Sequence, residues 1–148
     1  SCCRRRREGR QSGRPARSSQ RSERPLGLLY MDSDSLKSIN DRSGHEAGDR
    51  FIVDLASILR NVARRSDFIF RWGADEFAVV LDSGNAARAA TLAERLREAV
   101  AERTEGTMSI GIYWGVPESA DEAVRIADTA MYDAKRRGKD RVVVNLQE

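Results

Sequence analysis

Apolar and polar positions along the chain form short apolar runs and longer stripes with helical spacing. Residues 26–31 are an almost wholly apolar run, which predicts a strand buried on both faces. Between residues 45 and 65 the apolar positions recur at steps of one, three and four, which predicts a helix with one buried stripe. The same reasoning predicts, in chain order, strands at 68–72 and 77–81, a helix at 86–103, a strand at 107–114, a helix at 120–137 and a strand at 142–144.

The order of these elements predicts the fold class. Residues 73–76 join two strands through a four-residue connection, so the two strands form a hairpin with an acidic tip. The order of strand, helix, hairpin, helix, strand, helix and strand predicts an α+β fold. In this fold the helices pack against a mixed or largely antiparallel central sheet.

Composition divides the chain into two parts. Its 148 residues, 40% of them hydrophobic, suffice for one globular domain, and its formal net charge is +3. Residues 1–25 hold nine of the 26 basic residues and two of the 23 acidic ones, so residues 26–148 have a net charge of −4. We expect residues 1–25 to be a disordered basic tail, because they have almost no apolar side chain to bury, and residues 26–148 to be the folded domain. The tail lacks interleaved aromatic residues, which favours solvated disorder over a specific nucleic-acid site.

Cysteine usage and hydropathy indicate the compartment. Cys2 and Cys3 are adjacent in the predicted tail and cannot cross-link a core, which is typical of a protein from a reducing cytoplasm. No apolar run reaches the roughly 18–20 residues that a membrane span needs. We therefore expect a cytoplasmic domain with no membrane segment.

Two acidic pairs lie at predicted turns. Asp32 and Asp34 follow the first strand, and Asp75 and Glu76 stand at the hairpin tip. If the first strand neighbours the hairpin, all four carboxylates converge. Converging carboxylates repel one another unless a cation neutralises them, and oxygen ligands without His or Cys favour Mg²⁺ or Mn²⁺ over Zn²⁺. The alternative is that these are solvated turn residues.

Basic side chains suggest an anionic substrate. Lys37 follows the first acidic pair, and a basic cluster ends the last helix at Lys135, Arg136, Arg137 and Lys139. With the acids, these side chains indicate a nucleoside triphosphate, although basic residues at the end of a helix also complement its dipole. The chain has no glycine-rich phosphate loop, so a phosphate site must use metal.

Four motifs, in this order and spacing, strongly resemble those of the GGDEF diguanylate cyclases: LLYMDSDSLKSINDRSGHEAGD, RWGADEF, MSIGIYW and ADTAMYDAKRRGKDRV. The resemblance covers about residues 26–145. It implies the fold of nucleotidyl cyclase and polymerase palm domains, which is a mainly antiparallel sheet flanked by helices.

The resemblance also implies roles for individual residues. The metal ligands would be Asp32, the Ser33 carbonyl and Asp75, and they would hold Mg²⁺ or Mn²⁺, with two ions per active site. Glu76 would act with Asp75 in catalysis by positioning or deprotonating the attacking ribose hydroxyl. The substrate-binding positions, for guanine and for phosphate, are Lys37, Asn40, His45, Asp49, Ala74, Lys135 and Lys139. Among these, Asn40 and Asp49 match guanine contacts, and the three lysines match phosphate contacts.

Two of these assignments have a structural alternative. His45 is the only histidine of the chain, and without a partner histidine or cysteine it is not expected to bind zinc; it could simply begin a helix. Arg64 and Asp67 match the family's R-x-x-D inhibitory site, where cyclic di-GMP binds, and the alternative is a charged helix end capped by a turn. The spacing to Gly73 favours the inhibitory site.

The reaction that the resemblance implies condenses two GTP into cyclic di-GMP and releases two pyrophosphates. Each domain binds one GTP, so catalysis needs a homodimer, and an upstream sensory domain or partner would regulate it. The alternative function is a catalytically degenerate domain that senses GTP or cyclic di-GMP and signals to a partner. No specific nucleic-acid partner is expected.

The chain departs from the family pattern at several points. Its signature reads GADEF, with Ala74 in place of a glycine near the nucleotide phosphates; if that position needs a positive φ, alanine costs on the order of 1–2 kcal/mol. Leu36 replaces an aromatic residue, a change that the core can absorb, and Lys139 replaces an arginine. The family's first helix, with the pattern D-x-L-T-x-L-x-N-R, has no counterpart in residues 1–25, so we expect the domain to be N-terminally incomplete.

Overall fold

The computed structural model describes residues 24–81 and 84–146, so the tail predicted for residues 1–25 lies almost wholly outside the described residues. The described chain folds in one sequence of strands and helices. In chain order these are β1 (Leu26–Ser33), α1 (Leu36–Ser43), α2 (His45–Val62), β2 (Phe68–Arg71), β3 (Glu76–Leu81), α3 (Ala86–Arg103), β4 (Met108–Gly115), α4 (Ala120–Arg136) and β5 (Val142–Leu146).

The strands form one mixed sheet in the order β2-β3-β1-β4-β5. β1 lies at its centre and pairs antiparallel with β3 and with β4, while β4 and β5 are parallel. The prediction of an α+β fold with a mainly antiparallel sheet is confirmed. Because β1 has neighbours on both edges, its last residues lie beside the hairpin tip and beside the start of β4.

Helices cover both faces of the sheet, which explains why β1 is apolar throughout. Leu29 and Met31 belong to the larger core, with α2 and α3. Leu28 and Tyr30 point to the opposite face, where they pack with residues of α4. Successive side chains of a strand point to opposite faces, so a strand between two helical layers needs apolar residues at every position.

The close contact of α4 with β4 depends on Gly111. A Cβ at this position would overlap the backbone of α4 at Ala127 and Met131. The glycine therefore lets the helix backbone lie directly on the strand. This contact fixes the direction of α4, whose last turn brings Lys135 to the end of β1.

Most predicted elements are present, with ends that differ by a few residues. The apolar pattern does not predict α1, in which Ile39 is the buried residue. A single buried side chain leaves no repeating apolar stripe from which an eight-residue helix can be predicted. Within 24–81 and 84–146, no helix is both long enough and apolar enough to cross a membrane.

Candidate active site

The two acidic pairs meet at one end of the sheet. The register between β1 and β3 places Asp32 opposite Glu76. The backbone N–H of Ser33 donates to the carbonyl of Asp75 at 3.2 Å, which ties the hairpin tip to the end of β1. The first strand therefore neighbours the hairpin, which is the arrangement expected to bring the two acidic pairs together.

Asp32 and Asp75 both have a raised pKa in this arrangement. Burial raises the pKa of Asp32 to about 6; the neighbouring carboxylates of Asp75 and Glu76 add to the shift, and the Lys135 ammonium opposes it. Burial also raises the pKa of Asp75. Burial therefore disfavours the ionised forms of both acids, and an additional cation beside them would favour those ionised forms.

Lys135 brings a positive charge to this end of the sheet. Its ammonium donates to the carbonyl of Ser33 at 2.8 Å and to Asp34 at 2.9 Å, and it lies 3.9 Å from Asp32. Lys135 thus contacts the Ser33 carbonyl and Asp32, two of the three metal ligands that the family resemblance implies. It does not replace a divalent ion, because it brings one charge to a group of several carboxylates.

Asp34 differs from the other acids. Its side chain is 3% exposed. Burial acts to raise the pKa of Asp34, but hydrogen bonds from Ser109, Lys135, Thr107 and the backbone of Asp140 hold that pKa below its usual value. Asp34 is therefore an ionised structural group with its oxygens turned inward, and it does not join the other acids as a candidate metal ligand.

The donor set at the end of β1 fits a hard divalent cation. Two carboxylates, Asp32 and Asp75, and the Ser33 carbonyl supply only oxygen, the atom that Mg²⁺ and Mn²⁺ prefer. Within 24–81 and 84–146, no three His, Cys, Asp or Glu side chains already form a metal-binding group. A site here would be completed by the backbone carbonyl and by oxygens from water or substrate, as is usual for Mg²⁺.

The hairpin tip is held by Arg71, which the sequence reasoning missed. Its Nε donates to the carbonyl of Gly73 at 3.0 Å and its terminal nitrogen donates to the carbonyl of Ala74 at 2.8 Å. Among the described residues, the non-glycine positions with positive φ are Lys139 and Asp140, so Ala74 does not carry the backbone strain considered above. The tip conformation is thus compatible with alanine.

Asn40 has an unsatisfied oxygen inside this part of the fold. Among the described residues, Asn40 Oδ1 is buried and no hydrogen-bond donor reaches it. The side chain fits against α2 because residue 48 is a glycine, whose missing Cβ would otherwise overlap that oxygen. A buried acceptor without a donor is costly, and a ligand that brings an N–H group removes that cost.

The other predicted substrate positions lie at the surface. His45 is the first residue of α2, as its structural alternative proposed, and Asp49 is exposed one turn further along. Lys37 is exposed and pairs with Asp41 at 3.1 Å. A groove of about 530 Å³ is lined by Asp34, Lys37, Ser38, Asp41, Arg42 and Lys139. This groove brings Lys37 and Lys139 to one surface. Next to them is Asp34, which contacts the third predicted phosphate-binding lysine, Lys135.

Lys135 lines a second groove. It has a volume of about 430 Å³ and is lined by Asp32, Glu76, Asp128, Met131, Tyr132, Lys135 and Arg136. The predicted metal ligand Asp32 and the predicted catalytic Glu76 both open into this groove. Lys135 therefore lines the groove with the two acids and also donates to Asp34, which lines the first groove.

Arg64 and Asp67 lie beyond the end of α2, in the turn that leads into β2. The Asp67 carboxylate accepts a hydrogen bond from the backbone N–H of Arg64 at 2.9 Å. It also accepts two from Arg88 of α3, at 3.1 and 3.0 Å. The Asp67 side chain is only 1% exposed, whereas Arg64 is at the surface. A capped turn is thus present here, with an additional arginine that the sequence pattern does not reveal, and the binding of cyclic di-GMP at Arg64 and Asp67 stays a prediction.

A comparison with protein families connects this geometry to known proteins. A family model described as "Diguanylate cyclase, GGDEF domain" matches residues 5–141. The chain belongs to the GGDEF diguanylate cyclase family. The match begins inside the segment predicted to be a tail, and that prediction stays untested. The GGDEF domain of this chain therefore carries the signature in its GADEF form, at the hairpin tip described above.

Curated relatives of this GGDEF domain include named diguanylate cyclases. Diguanylate cyclase A of Treponema denticola is 37% identical over 138 residues, which cover 86% of this chain and 37% of that protein. Diguanylate cyclase DgcM of Escherichia coli K12 is 39% identical over 122 residues, which cover 78% of this chain and 30% of that protein. The chain thus spans about a third of the length of these relatives.

Solved GGDEF domains have the same fold. The active GGEEF domain of a diguanylate cyclase from Vibrio cholerae is 30% identical with a TM-score of 0.78, and 90% of each chain is covered. The GGDEF domain of DgcB from Caulobacter crescentus, solved with cyclic di-GMP, is 30% identical with a TM-score of 0.79; 93% of this chain and 87% of that chain are covered. The similarity therefore extends over almost the whole described fold.

Proposed function

We propose that this domain condenses two GTP molecules into cyclic di-GMP with release of two pyrophosphates, in the presence of Mg²⁺ or Mn²⁺. The observation that carries the proposal is the meeting of Asp32, the Ser33 carbonyl and Asp75 at one end of the sheet, next to the Lys135 ammonium. This arrangement unites an oxygen donor set for a divalent cation with a positive side chain that can bind phosphate.

Asp32, Asp75 and the carbonyl of Ser33 would hold the metal, with two ions per active site. A bound divalent ion supplies charge neutralisation and polarises the α-phosphate that is attacked. The chain's own contribution is the position of these oxygens, which the pairing of β1 with β3 fixes on neighbouring strands. Arg71 supports them by holding the two carbonyls that precede Asp75.

Glu76 is the residue that we assign to the attacking 3′-hydroxyl of the ribose. It lies opposite Asp32 in the strand register and lines the same groove, so it can reach a substrate that contacts the metal ligands. From there it would orient the hydroxyl or accept its proton. Asp75, next to it in sequence, combines the metal contact with this catalytic role.

The remaining positions would bind the nucleotide. The unsatisfied Oδ1 of Asn40 fits the N–H edge of guanine, and Asp49 would accept from the same edge, with His45 between them in sequence. Lys37, Lys135 and Lys139 would bind the phosphates. Ala74 lies at the hairpin tip, where its exposed side chain would face the phosphates.

Catalysis would require two copies of the domain. Each copy binds one GTP, and the 3′-hydroxyl of one nucleotide must lie in line with the α-phosphate of the other. A homodimer that brings two hairpin tips together provides this geometry. An upstream sensory domain or partner would then regulate turnover by controlling how the two domains approach.

Product inhibition is the last part of the proposal. Arg64 and Asp67 would form the site at which cyclic di-GMP binds and restrains the enzyme. Arg64 is exposed and can contact a phosphate, whereas the Asp67 carboxylate already accepts three hydrogen bonds. Arg64 is therefore the residue of this pair that we expect to contribute most to the affinity for product.

The test is a comparison of two isosteric variants. The purified chain is incubated with GTP and either Mg²⁺ or Mn²⁺, and cyclic di-GMP is measured by chromatography. We expect Asp75→Asn to lower turnover by on the order of 100-fold or more, since it removes a metal ligand and a charge. Asp54→Asn, which changes an exposed acid on α2, should leave turnover within about twofold.

Two outcomes would contradict the cyclase assignment. Equal turnover in Asp75→Asn and in the wild type would remove Asp75 from the metal site. A folded dimer that binds GTP but forms no cyclic di-GMP would instead support the alternative function, a domain that senses GTP or cyclic di-GMP.

A further inference from the structure

Asp34 has all of its acceptor positions filled. Its Oδ1 accepts from the hydroxyl of Ser109 at 2.6 Å and from the ammonium of Lys135 at 2.9 Å. Its Oδ2 accepts from the hydroxyl of Thr107 at 2.8 Å and from the backbone N–H of Asp140 at 3.0 Å. An ionised carboxylate has about four lone-pair sites, so this side chain has no oxygen left for a metal ion.

These four donors come from three different parts of the chain. Thr107 directly precedes β4 and Ser109 lies at its start, Lys135 is in the last turn of α4, and Asp140 is in the turn between α4 and β5. Asp34 itself follows β1. One buried carboxylate therefore fixes segments that are separated in sequence by up to 106 residues.

The turn at residues 138–140 needs such support. Lys139 and Asp140 have φ values of 67° and 49°, in the left-handed region that is unfavourable for residues with a Cβ. The backbone N–H of Lys139 donates to the carbonyl of Ala134 at 3.0 Å, and the Asp140 carboxylate accepts from Arg97 at 2.8 Å. The bond from Asp140 N–H to Asp34 is the contact that ties this strained turn to the end of β1.

The location of these contacts connects Asp34 with phosphate binding. Lys135 and Lys139 are two of the three proposed phosphate-binding lysines, and Asp34 contacts the first directly and the second through its neighbour Asp140. Asp34 lies beneath the groove that Lys37 and Lys139 line, with a side chain only 3% exposed. Its negative charge is thus turned away from an incoming triphosphate and towards the groups that it orients.

We propose that Asp34 is a positioning residue that holds the Lys135 ammonium and the turn at 138–140 in the arrangement that binds the triphosphate of the substrate. This inference rests on the proposed function, since it concerns the same substrate. It assigns to Asp34 a role different from that of Asp32, although both acids belong to one D-x-D sequence.

Two sets of variants separate positioning from general stabilisation. Asp34→Asn keeps the volume but removes the charge and replaces one acceptor by a donor. The matched control is Thr107→Val with Ser109→Ala, which removes two of the four hydrogen bonds and keeps the contacts of Asp34 with Lys135 and Asp140. If Asp34→Asn does not fold, as judged by circular dichroism, Asp34→Ser takes its place, because it keeps one small acceptor.

Binding of guanosine and of the α,β-methylene analogue of GTP is measured by calorimetry in Mg²⁺; the analogue cannot release pyrophosphate, so turnover does not enter the result, and it stands for GTP below. We expect Asp34→Asn to weaken GTP binding about tenfold and guanosine binding less than twofold. We expect the control to lower the thermal stability while its ratio of GTP to guanosine affinity stays as in the wild type. Hydrogen exchange at the amides of Lys139 and Asp140 should be at least about tenfold faster in Asp34→Asn than in the control.

The inference is overturned if a folded Asp34 variant keeps the wild-type ratio of affinities, or if the control loses that ratio equally. It is also overturned if the wild type binds GTP no more tightly than guanosine. Failure of the proposed function looks different: the wild type would form no cyclic di-GMP while GTP binding still depended on Asp34.

Discussion

The buried carboxylate of Asp67 is paired with the guanidinium of Arg88 through two hydrogen bonds of 3.1 and 3.0 Å. The two side chains are 1% and 15% exposed, so this ion pair is shielded from solvent. It links the turn before β2 to the first turn of α3. The pair gives Asp67 a structural role that the R-x-x-D spacing alone does not reveal.

We predict that Asp67→Asn destabilises the domain by about 3 kcal/mol, because it leaves the Arg88 guanidinium without its buried partner charge. The free energy of unfolding is measured by denaturant titration. Glu105→Gln is the control, because it disrupts the ion pair of Glu105 with Arg42, whose two side chains are 52% and 55% exposed. This variant should lower the free energy of unfolding by less than about 1 kcal/mol. Equal costs for the two variants would contradict the structural role of Asp67.

Arg64 should behave in the opposite way. We predict that Arg64→Ala lowers the affinity for cyclic di-GMP about tenfold with little change in the free energy of unfolding, because its side chain is exposed. Calorimetric titration with cyclic di-GMP measures this. Arg60→Ala, in the last turn of α2, is the control and should leave the affinity unchanged. If both variants bind product as the wild type does, product inhibition does not involve Arg64.

Most of the fold could be predicted because the buried strand and the long helices have apolar residues at regularly repeating positions. The run at residues 26–31 predicted the central strand, since a strand between two helical layers is apolar at every position. The stripes of α2, α3 and α4 are long enough to show their period. The short α1 has one buried residue, Ile39, and a single residue has no period.

The site was less predictable, because its contacts join distant parts of the chain. The acidic pairs could be found as acids at turns, and the resemblance supplied their roles. The chain separation between Asp34 and Lys135 is 101 residues, and that between Asp67 and Arg88 is 21. No local pattern marks such pairs, and the same holds for the support that Arg71 gives to the hairpin tip.

The raised pKa of Asp32 predicts how the stability of the metal-free domain depends on pH. Burial raises this pKa from 3.8 to about 6, so the folded state holds the proton more tightly than the unfolded state. Stability is therefore lost as the pH rises from about 4 to about 6 and the folded carboxyl ionises. Asp32→Asn does not ionise, and in EDTA at pH 7 it should be more stable than the wild type by on the order of 2 kcal/mol.

Melting temperatures of the two proteins between pH 4.5 and pH 7.5 measure this effect. The difference should shrink towards pH 4.5, where Asp32 of the wild type is protonated. Addition of Mg²⁺ at pH 7 should stabilise the wild type much more than Asp32→Asn, because the variant has only the Asp75 carboxylate left as a charged ligand. A difference that does not vary with pH would show that Asp32 is not the group that titrates.

Gly48 and Asn40 offer a way to separate base recognition from stability. A Cβ at position 48 would overlap Asn40 Oδ1, and the atoms it meets are the ends of side chains that can move. We predict that Gly48→Ala displaces the Asn40 amide and weakens GTP binding about tenfold, while the free energy of unfolding changes by less than about 1 kcal/mol, since alanine also favours the helix.

Calorimetry with GTP and thermal melting measure the two quantities. Asn40→Ala should weaken GTP binding to a similar extent, and adding Gly48→Ala to it should have no further effect, because the side chain that it displaces is gone. Additive losses in the double variant would mean that Gly48 acts on the nucleotide by some route other than Asn40.

Ala74 can be tested by restoring the glycine of the family signature. Ala74 lies outside the positive-φ region, so Ala74→Gly relieves no strain and should instead destabilise the domain by about 0.5–1 kcal/mol through the greater freedom of the unfolded chain. Arg71 holds the carbonyl of residue 74 through a bond that does not depend on the side chain at that position. We therefore predict that turnover of Ala74→Gly stays within about threefold of the wild type, measured as cyclic di-GMP formed at saturating GTP and Mg²⁺. A much larger gain would show that the methyl group crowds the bound phosphates, since backbone strain does not account for it.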